Sequence, residues 1–217
     1  MDYLDLYCER LAPGLTGEPL NALSNIAFFI AALALLKLAR HQQKIATEIW
    51  LLIGLMVAIG TGSTLFHTFA TQWSNRLDVI PILLFQLCFL WLYTRRVLRI
   101  KPLFAGILIA GFVLASQWSQ QFFHLLNGSL SYAPALLILG SLGIYHYQQQ
   151  KQEPLILLAA TGVFFVALFF RTLDKTICPE FPLGTHFLWH LLNGVVLYLS
   201  TRGLILNWLK TENCKVM

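Results

Sequence analysis

Residues 49–70 read IWLLIGLMVAIGTGSTLFHTFA, an apolar run in which one histidine is the only ionisable side chain. A helix that spans a membrane needs about 20 mostly apolar residues, because the hydrocarbon layer is about 30 Å thick and each helical residue advances about 1.5 Å. The run satisfies this requirement, and the whole chain is 57% hydrophobic but only 12% charged. The sequence therefore predicts an integral membrane protein of the all-α class.

Apolar runs of similar length recur along the chain. We predict seven membrane-spanning helices, at residues 21–39, 49–70, 78–97, 102–118, 130–147, 154–173 and 183–209. No Ser/Gly-rich linker, internal repeat or low-complexity tract separates them, so we expect residues 1–217 to form one helical bundle and a single domain. Residues 1–20 are acidic, contain two prolines and two glycines, and lack the features of a cleavable signal peptide.

Basic residues are distributed unevenly between the predicted loops. The first, third and fifth loops and the C-terminus hold eleven: Lys37, Arg40, Lys44, Arg95, Arg96, Arg99, Lys101, Lys151, Arg202, Lys210 and Lys215. The opposite flanks hold four: Arg10, Arg76, Arg171 and Lys175. By the positive-inside rule, residues 1–20 lie outside and residues 210–217 lie in the cytoplasm. The net charge of +5 therefore comes from basic residues that are clustered on one set of loops, a distribution that indicates membrane orientation and not nucleic-acid binding. The expected location is the inner membrane of a bacterium, or the endoplasmic reticulum or Golgi membrane of a eukaryote.

Three histidines fall at one end of this predicted bundle. His67 lies about one turn before the outer end of the second predicted span, and His186 and His190 open the seventh, which starts outside. Residues four apart on a helix project from the same face, with Cβ atoms about 5–6 Å apart, which suits two ligands of one metal ion. Three imidazoles and a water are typical of catalytic zinc sites. The alternative is interfacial histidines bonded to backbone or water, which the His186 and His190 pair alone favours.

Two further polar residues at this end favour the metal site. Ser63 precedes His67 by four residues, so its hydroxyl lies one turn deeper on the same helical face. Its alternative role is a hydrogen bond to its own helix backbone. Asp78 opens the third predicted span and could accept a proton or orient a ligand, or could cap that helix. Together with the histidines, both residues are interpreted as functional.

Other polar residues are assigned simpler roles. His41, His124 and His146 are interpreted as solvated or interfacial side chains. Asp174 follows Arg171 at the outer end of the sixth predicted span, where a structural ion pair and a role in the site are both open.

Four blocks of sequence give the chain a resemblance to the alkaline ceramidases, within a superfamily of seven-helix membrane hydrolases that includes the adiponectin receptors. The blocks span nearly the whole chain and share one membrane face. They are Cys8-Glu9 with Glu18-Pro-Leu-Asn21-Ala-Leu-Ser24-Asn25; Gly62-Ser63-Thr-Leu-Phe-His67; Asp78 with Pro81; and Arg171-Thr-Leu-Asp174 with Gly184-Thr-His186-Phe-Leu-Trp189-His190.

The resemblance implies an amidohydrolase of membrane lipids. Zinc held by His67, His186 and His190 would activate a water for attack on a lipid amide. Asp78 would act as general base and Ser63 would hold the developing oxyanion. The expected products are a fatty acid and an amine such as a sphingoid base. This chemistry suits the residues, because zinc lowers the pKa of bound water to about 7.

The resemblance also implies a calcium site and a disulfide near the N-terminus. Glu9, Glu18 and Asn21 match the calcium site, although Asp5 is displaced by one residue from the family's aspartate and Tyr7 stands where tryptophan is usual. Cys8 and Cys178 both fall outside and correspond to the family's disulfide, while Cys88 and Cys214 are expected to be free thiols.

Three alternatives to the lipid amidase stay open. The first is an esterase that acts on phospholipids or lipid anchors, with the same chemistry. The second is a non-enzymatic seven-helix receptor with a structural zinc, although the related receptors are usually inverted. The third is a transporter, which the confinement of the polar cluster to one end disfavours. The sequence does not indicate an oligomeric state.

Overall fold

The computed structural model describes residues 3–10, 12, 14, 16–41 and 46–213, and within these ranges the regular structure is helical apart from one isolated β-bridge between Tyr3 and Thr71. The α-helices are α1 (Pro19–Ser24), α2 (Ile26–His41), α3 (Thr47–Phe69), α4 (Gln72–Leu92), α5 (Pro102–Gln120), α6 (Ala133–Gln148), α7 (Ile156–Leu173) and α8 (His186–Asn213). A π-helical turn at Tyr93–Val97 extends α4, and 3-10 turns at Leu125–Tyr132 and Asp174–Thr176 precede α6 and follow α7. The all-α prediction is confirmed.

Six helical segments are long and apolar enough to cross a membrane. They are Pro19–Arg40, Thr47–Phe69, Gln72–Val97, Pro102–Gln120, Leu125–Gln148 and Ile156–Thr176. Each contains most of one predicted span, so the chain is a multi-pass membrane protein as predicted. The seventh predicted span lies mostly within α8, which is helical but is not one of these six segments. The count of seven crossings and the orientation of the termini therefore stay predictions.

Glycines allow four helices to pack closely at one end of the bundle. At Gly62 in α3, an added Cβ would lie 1.9 Å from the Leu77 carbonyl oxygen, so the backbones of α3 and α4 touch at this point. At Gly194 in α8, an added Cβ would lie 2.8 Å from the Cβ of Ala27 in α2. These contacts bring α2, α3, α4 and α8 together at the end of the bundle where α3 ends and α8 begins, which we call the histidine end.

The opposite end of the bundle contains a second buried polar cluster. The Tyr93 hydroxyl lies 2.5 Å from His146 Nδ1, and His146 Nε2 donates to the Gln152 carbonyl at 3.1 Å. His146 is fully buried, so its prediction as a solvated or interfacial side chain was wrong. The turn after α6 folds back over the ring, a tertiary contact that hydropathy does not reveal. His124 is exposed as predicted, and the side chain of His41 lies outside the described residues.

Candidate active site

The three predicted histidines meet at the histidine end. His67 comes from the last turn of α3, and His186 and His190 come from the first turns of α8. All three are buried, and one ligand atom from each lies within 4.8 Å of the others. Within the described part of the chain, this is the one group of three histidine, cysteine or acidic residues with metal-binding geometry.

A carboxylate fixes the tautomer of His67. The His67 Nδ1 atom lies 2.5 Å from Glu18 Oε2, and the same oxygen accepts the side-chain amide of Asn21 at 3.0 Å. Burial alone would raise the pKa of Glu18, but the hydrogen bonds from His67 and Asn21 and the charge of Arg10 hold it below its usual value. Glu18 is therefore an ionised acceptor for the Nδ1–H of His67, and in the neutral imidazole that metal binding requires the Nε2 atom has the free lone pair.

A hydroxyl fixes the tautomer of His190. Ser24 Oγ donates to the Asn21 carbonyl at 2.7 Å and lies 2.7 Å from His190 Nδ1. Because its own proton is committed to Asn21, the Ser24 oxygen accepts from His190 Nδ1, and the Nε2 atom of His190 also has a free lone pair. The two Nε2 atoms are only 3.1 Å apart. When both rings are neutral with Nδ1 protonated, the two Nε2 lone pairs point to one position, so the donor set fits a zinc ion.

The third histidine is held by different contacts. The ring of His186 stacks on Tyr7, with centroids 3.6 Å apart, and its buried Nδ1 atom has no hydrogen-bond partner among the described residues. Asp174 fixes the start of α8, because its Oδ1 atom accepts the backbone N–H groups of Thr185 at 2.7 Å and His186 at 2.9 Å. An ion pair with Arg171 and a role in the site were left open for Asp174; the structure shows this cap at the start of α8, and the described contacts of Asp174 include no ion pair with Arg171.

The predicted disulfide joins the N-terminal segment to the same corner. Cys8 and Cys178 are bonded across a sequence separation of 170 residues, and the Cys8 backbone N–H donates to Asp174 Oδ2 at 3.1 Å. Gly184 has a φ of 62°, and an added Cβ there would lie 2.2 Å from Asp174 Oδ1, so only glycine fits this turn. Cys88 is a free thiol, as predicted, and Cys214 lies outside the described residues.

Ser63 and Asp78 lie beside the histidines. Ser63 Oγ is 3.4 Å from His190 Nε2, and the side chain of Asp78 is close enough to interact with the Ser63 hydroxyl. The close approach of α3 and α4 at Gly62 places Asp78 there, since its backbone nitrogen would be 3.1 Å from an added Cβ. The arrangement puts a proton donor and a proton acceptor next to the open face of the histidines.

The residues predicted for calcium make other contacts. Glu9 accepts the backbone N–H groups of Leu20 at 2.6 Å and Asn21 at 2.8 Å, which caps the start of α1. Glu18 binds His67 through one oxygen and Arg10 through the other. All four carboxylate oxygens thus already accept N–H groups, whereas the buried Oδ1 atom of Asn21 has no hydrogen-bond partner among the described residues, so the calcium site stays a prediction.

An apolar cavity begins one helical turn from the site, on the side toward the middle of the bundle. Ile59 lies one turn from Ser63, Ile82 one turn from Asp78, and Asn193 one turn from His190, and all three line the cavity. The rest of the wall is largely aromatic and aliphatic, from α2, α4, α5, α6, α7 and α8: Phe28, Phe85, Phe89, Phe112, Leu139, Phe164, Trp189 and Val196. Such a cavity suits a hydrocarbon chain whose polar end lies at the histidines.

Several contacts of the site were not predicted from sequence, among them that of Glu18 with His67 and those of Ser24, Tyr7 and Arg10. Ser24 lies within a block that was quoted for the family resemblance, but nothing in its spacing relates it to His190. Tyr7 and Arg10 come from the acidic segment before α1, where short-range patterns do not indicate a partner. The disulfide of Cys8 was the one available signal that this segment folds back over α8.

Comparison with known proteins identifies the family. A search of curated proteins found no match. The family model described as Ceramidase matches residues 7–215, which is nearly the whole chain and includes all of the residues of the site. The chain therefore belongs to the ceramidase family.

Proposed function

We propose that this protein is a zinc-dependent hydrolase that cleaves the amide bond of ceramide or a closely related N-acyl lipid. The observation that carries the proposal is the buried cluster of His67, His186 and His190, whose ligand atoms lie within 4.8 Å of one another, with the Nε2 atoms of His67 and His190 3.1 Å apart. Family membership supports a ceramide-hydrolysing enzyme, and the apolar cavity below the site supports a substrate with a long hydrocarbon chain.

The residues suggest how the reaction proceeds. Zinc, when bound by His67, His186 and His190, activates water and polarises the carbonyl of the substrate. Asp78 accepts the proton of the attacking water and later donates it to the leaving amine. We infer that in the resting site the Ser63 hydroxyl donates to Asp78, because the two side chains interact where α3 and α4 approach each other. Once Asp78 is protonated, this hydroxyl becomes available to the oxyanion, so Ser63 stabilises charge at the step at which it develops.

The cavity and its mouth orient the substrate. The acyl chain lies among the aromatic side chains of α4, α7 and α8, with its amide near His190. Burial of each CH₂ group contributes about 0.8 kcal/mol, so chain binding supplies the energy that holds the polar end at the site. In this proposal α8 crosses the membrane as the seventh span, with the site in the outer leaflet.

The test uses the full chain, purified in detergent, with zinc measured by mass spectrometry and turnover measured on a panel of N-acyl lipids that includes ceramide. His190→Ala should lose both zinc and turnover. Asp78→Asn should keep zinc but lose turnover by about 10²–10⁴-fold, the usual contribution of a general base. His124→Ala, an exposed histidine at the same end, is the matched control.

Two results would contradict the proposal. One is a wild-type protein that takes up no zinc yet cleaves ceramide, and the other is wild-type turnover by the Asp78→Asn variant. Ester-linked lipids in the same panel separate an amidase from an esterase, because the esterase alternative predicts faster cleavage of these lipids.

A further inference from the structure

The proposed reaction assigns no role to Arg10, although the side chain of this residue is buried beside the histidines. Arg10 comes from the segment before α1 and is 4% exposed. Its guanidinium forms an ion pair with Glu18 and donates to the backbone carbonyl of His67 at 2.6 Å and of Gly14 at 3.4 Å. A buried charge is costly unless it is fully paired, so this position is built around the cation.

The oxygens around Arg10 resemble the ligand set of a hard cation. One carboxylate oxygen and two backbone carbonyl oxygens surround the guanidinium, and carboxylate and carbonyl oxygens are the ligands that calcium prefers. There is little space left, because a Cβ added at Gly17 would lie 2.6 Å from the Nη1 atom of Arg10. The arginine thus occupies the space beside Glu18 Oε1, one of the oxygens that the calcium prediction assigned to the ion.

Arg10 contacts His67 in two ways, indirectly through Glu18 and directly through the His67 backbone carbonyl. Through Glu18, the guanidinium holds the carboxylate that accepts the proton of His67 Nδ1. Through its Nη2 atom, it binds the carbonyl of His67 itself, in the last turn of α3, where a cation also suits the helix dipole. Both the ring and the backbone of one histidine are therefore fixed by the same side chain.

We propose that Arg10 is a built-in cation that takes the place of calcium and positions Glu18 and His67, so that the site assembles without calcium. Arg10 is a positioning residue, since it touches neither zinc ligand atoms nor substrate. The inference rests on the proposed function for the identity of the metal, but its calcium part does not depend on turnover.

The test measures two metals on the full chain in detergent. Wild-type protein should bind no calcium in a radioactive-calcium assay, and added millimolar calcium should leave its zinc affinity and melting temperature unchanged. Arg10→Ala should weaken zinc binding by about 10–100-fold, the usual effect of losing a contact behind a metal ligand, and guanidinium ion should restore part of the loss. Arg10→Lys should recover only part of the wild-type zinc affinity. An ammonium group lacks the fork geometry with which the guanidinium binds Glu18 and the His67 carbonyl at the same time. Arg76→Ala, an exposed arginine at the same end, is the control.

Each outcome decides the inference. Stoichiometric calcium binding by wild type that is lost in Glu18→Gln overturns it, and so does wild-type zinc affinity in Arg10→Ala. The calcium measurement on wild type needs no variant, so it applies even when Arg10→Ala does not fold. If wild type binds neither zinc nor calcium, the proposed function fails while the calcium part of this inference stands.

Discussion

Replacing Ser24 by alanine tests the tautomer argument at the centre of the site. The hydroxyl of Ser24 accepts from His190 Nδ1 at 2.7 Å, and its loss leaves that N–H without its main partner. The carbonyl of Asn21 is also close enough to accept from His190, but it already receives the side-chain amide of Asn25 at 3.0 Å. The substitution should therefore weaken zinc binding toward the smaller end of the usual 10–100-fold range, by about tenfold or about 1.4 kcal/mol.

The assay is a competition between the purified protein and a fluorescent zinc chelator. The control is Ser141→Ala, because Ser141 is exposed in α6 and its hydroxyl only bonds the Leu137 carbonyl of its own helix, at 2.8 Å. Zinc affinity should fall in Ser24→Ala and stay unchanged in Ser141→Ala. Wild-type affinity in Ser24→Ala would refute the claim that Ser24 fixes the tautomer of His190.

Two further predictions concern stability. Gly62→Ala places a Cβ 1.9 Å from the Leu77 carbonyl oxygen, so α3 and α4 must separate and the fold should lose about 1–3 kcal/mol of stability. The control is Gly54→Ala, whose added Cβ meets nothing within 4 Å and should leave the melting temperature unchanged. The hydrogen bond from Arg202 holds the pKa of Glu153 below its usual value, so this pair stabilises the fold above the ordinary carboxyl pKa and ceases to do so as the pH falls through the lowered value. The pair is partly exposed, so Glu153→Gln should lower the free energy of unfolding by about 1 kcal/mol or less near neutral pH. The difference in melting temperature from wild type should vanish in acid. A difference that is constant with pH contradicts this assignment.

Local patterns predicted much of the fold. Long apolar runs predicted six segments that the structure shows as helices able to cross a membrane, with ends displaced by a few residues. The first predicted span contains two helices, α1 and α2, separated only by Asn25, which keeps right-handed helical dihedral angles. The segment that contains the fifth predicted span begins earlier, with a 3-10 turn in which residues 126–128, ahead of the predicted start at residue 130, leave the right-handed helical region. Hydropathy averages over a window and does not report such breaks.

The grouping of His67, His186 and His190 could be predicted because topology places the end of α3 and the start of α8 at the same end of the bundle, and because the family resemblance names these residues as one ligand set. The same reasoning could not find Arg10, Ser24 or Tyr7 as partners of these histidines. Their contacts depend on how a short polar segment folds over the bundle, and that path follows from the disulfide and from shape complementarity, which have no periodic signature.

The sequence by itself determined that this protein is helical and membrane-embedded and that three histidines share one end, since these properties depend on residue composition, spacing and the thickness of the bilayer. Only the tertiary structure decided which nitrogens of His67 and His190 face each other, because the ring orientation and tautomer depend on the hydrogen-bond partner of the opposite ring nitrogen. It also decided that Glu18 pairs with Arg10 and His67, because a buried carboxylate binds whichever cation and donors the folded chain brings to it.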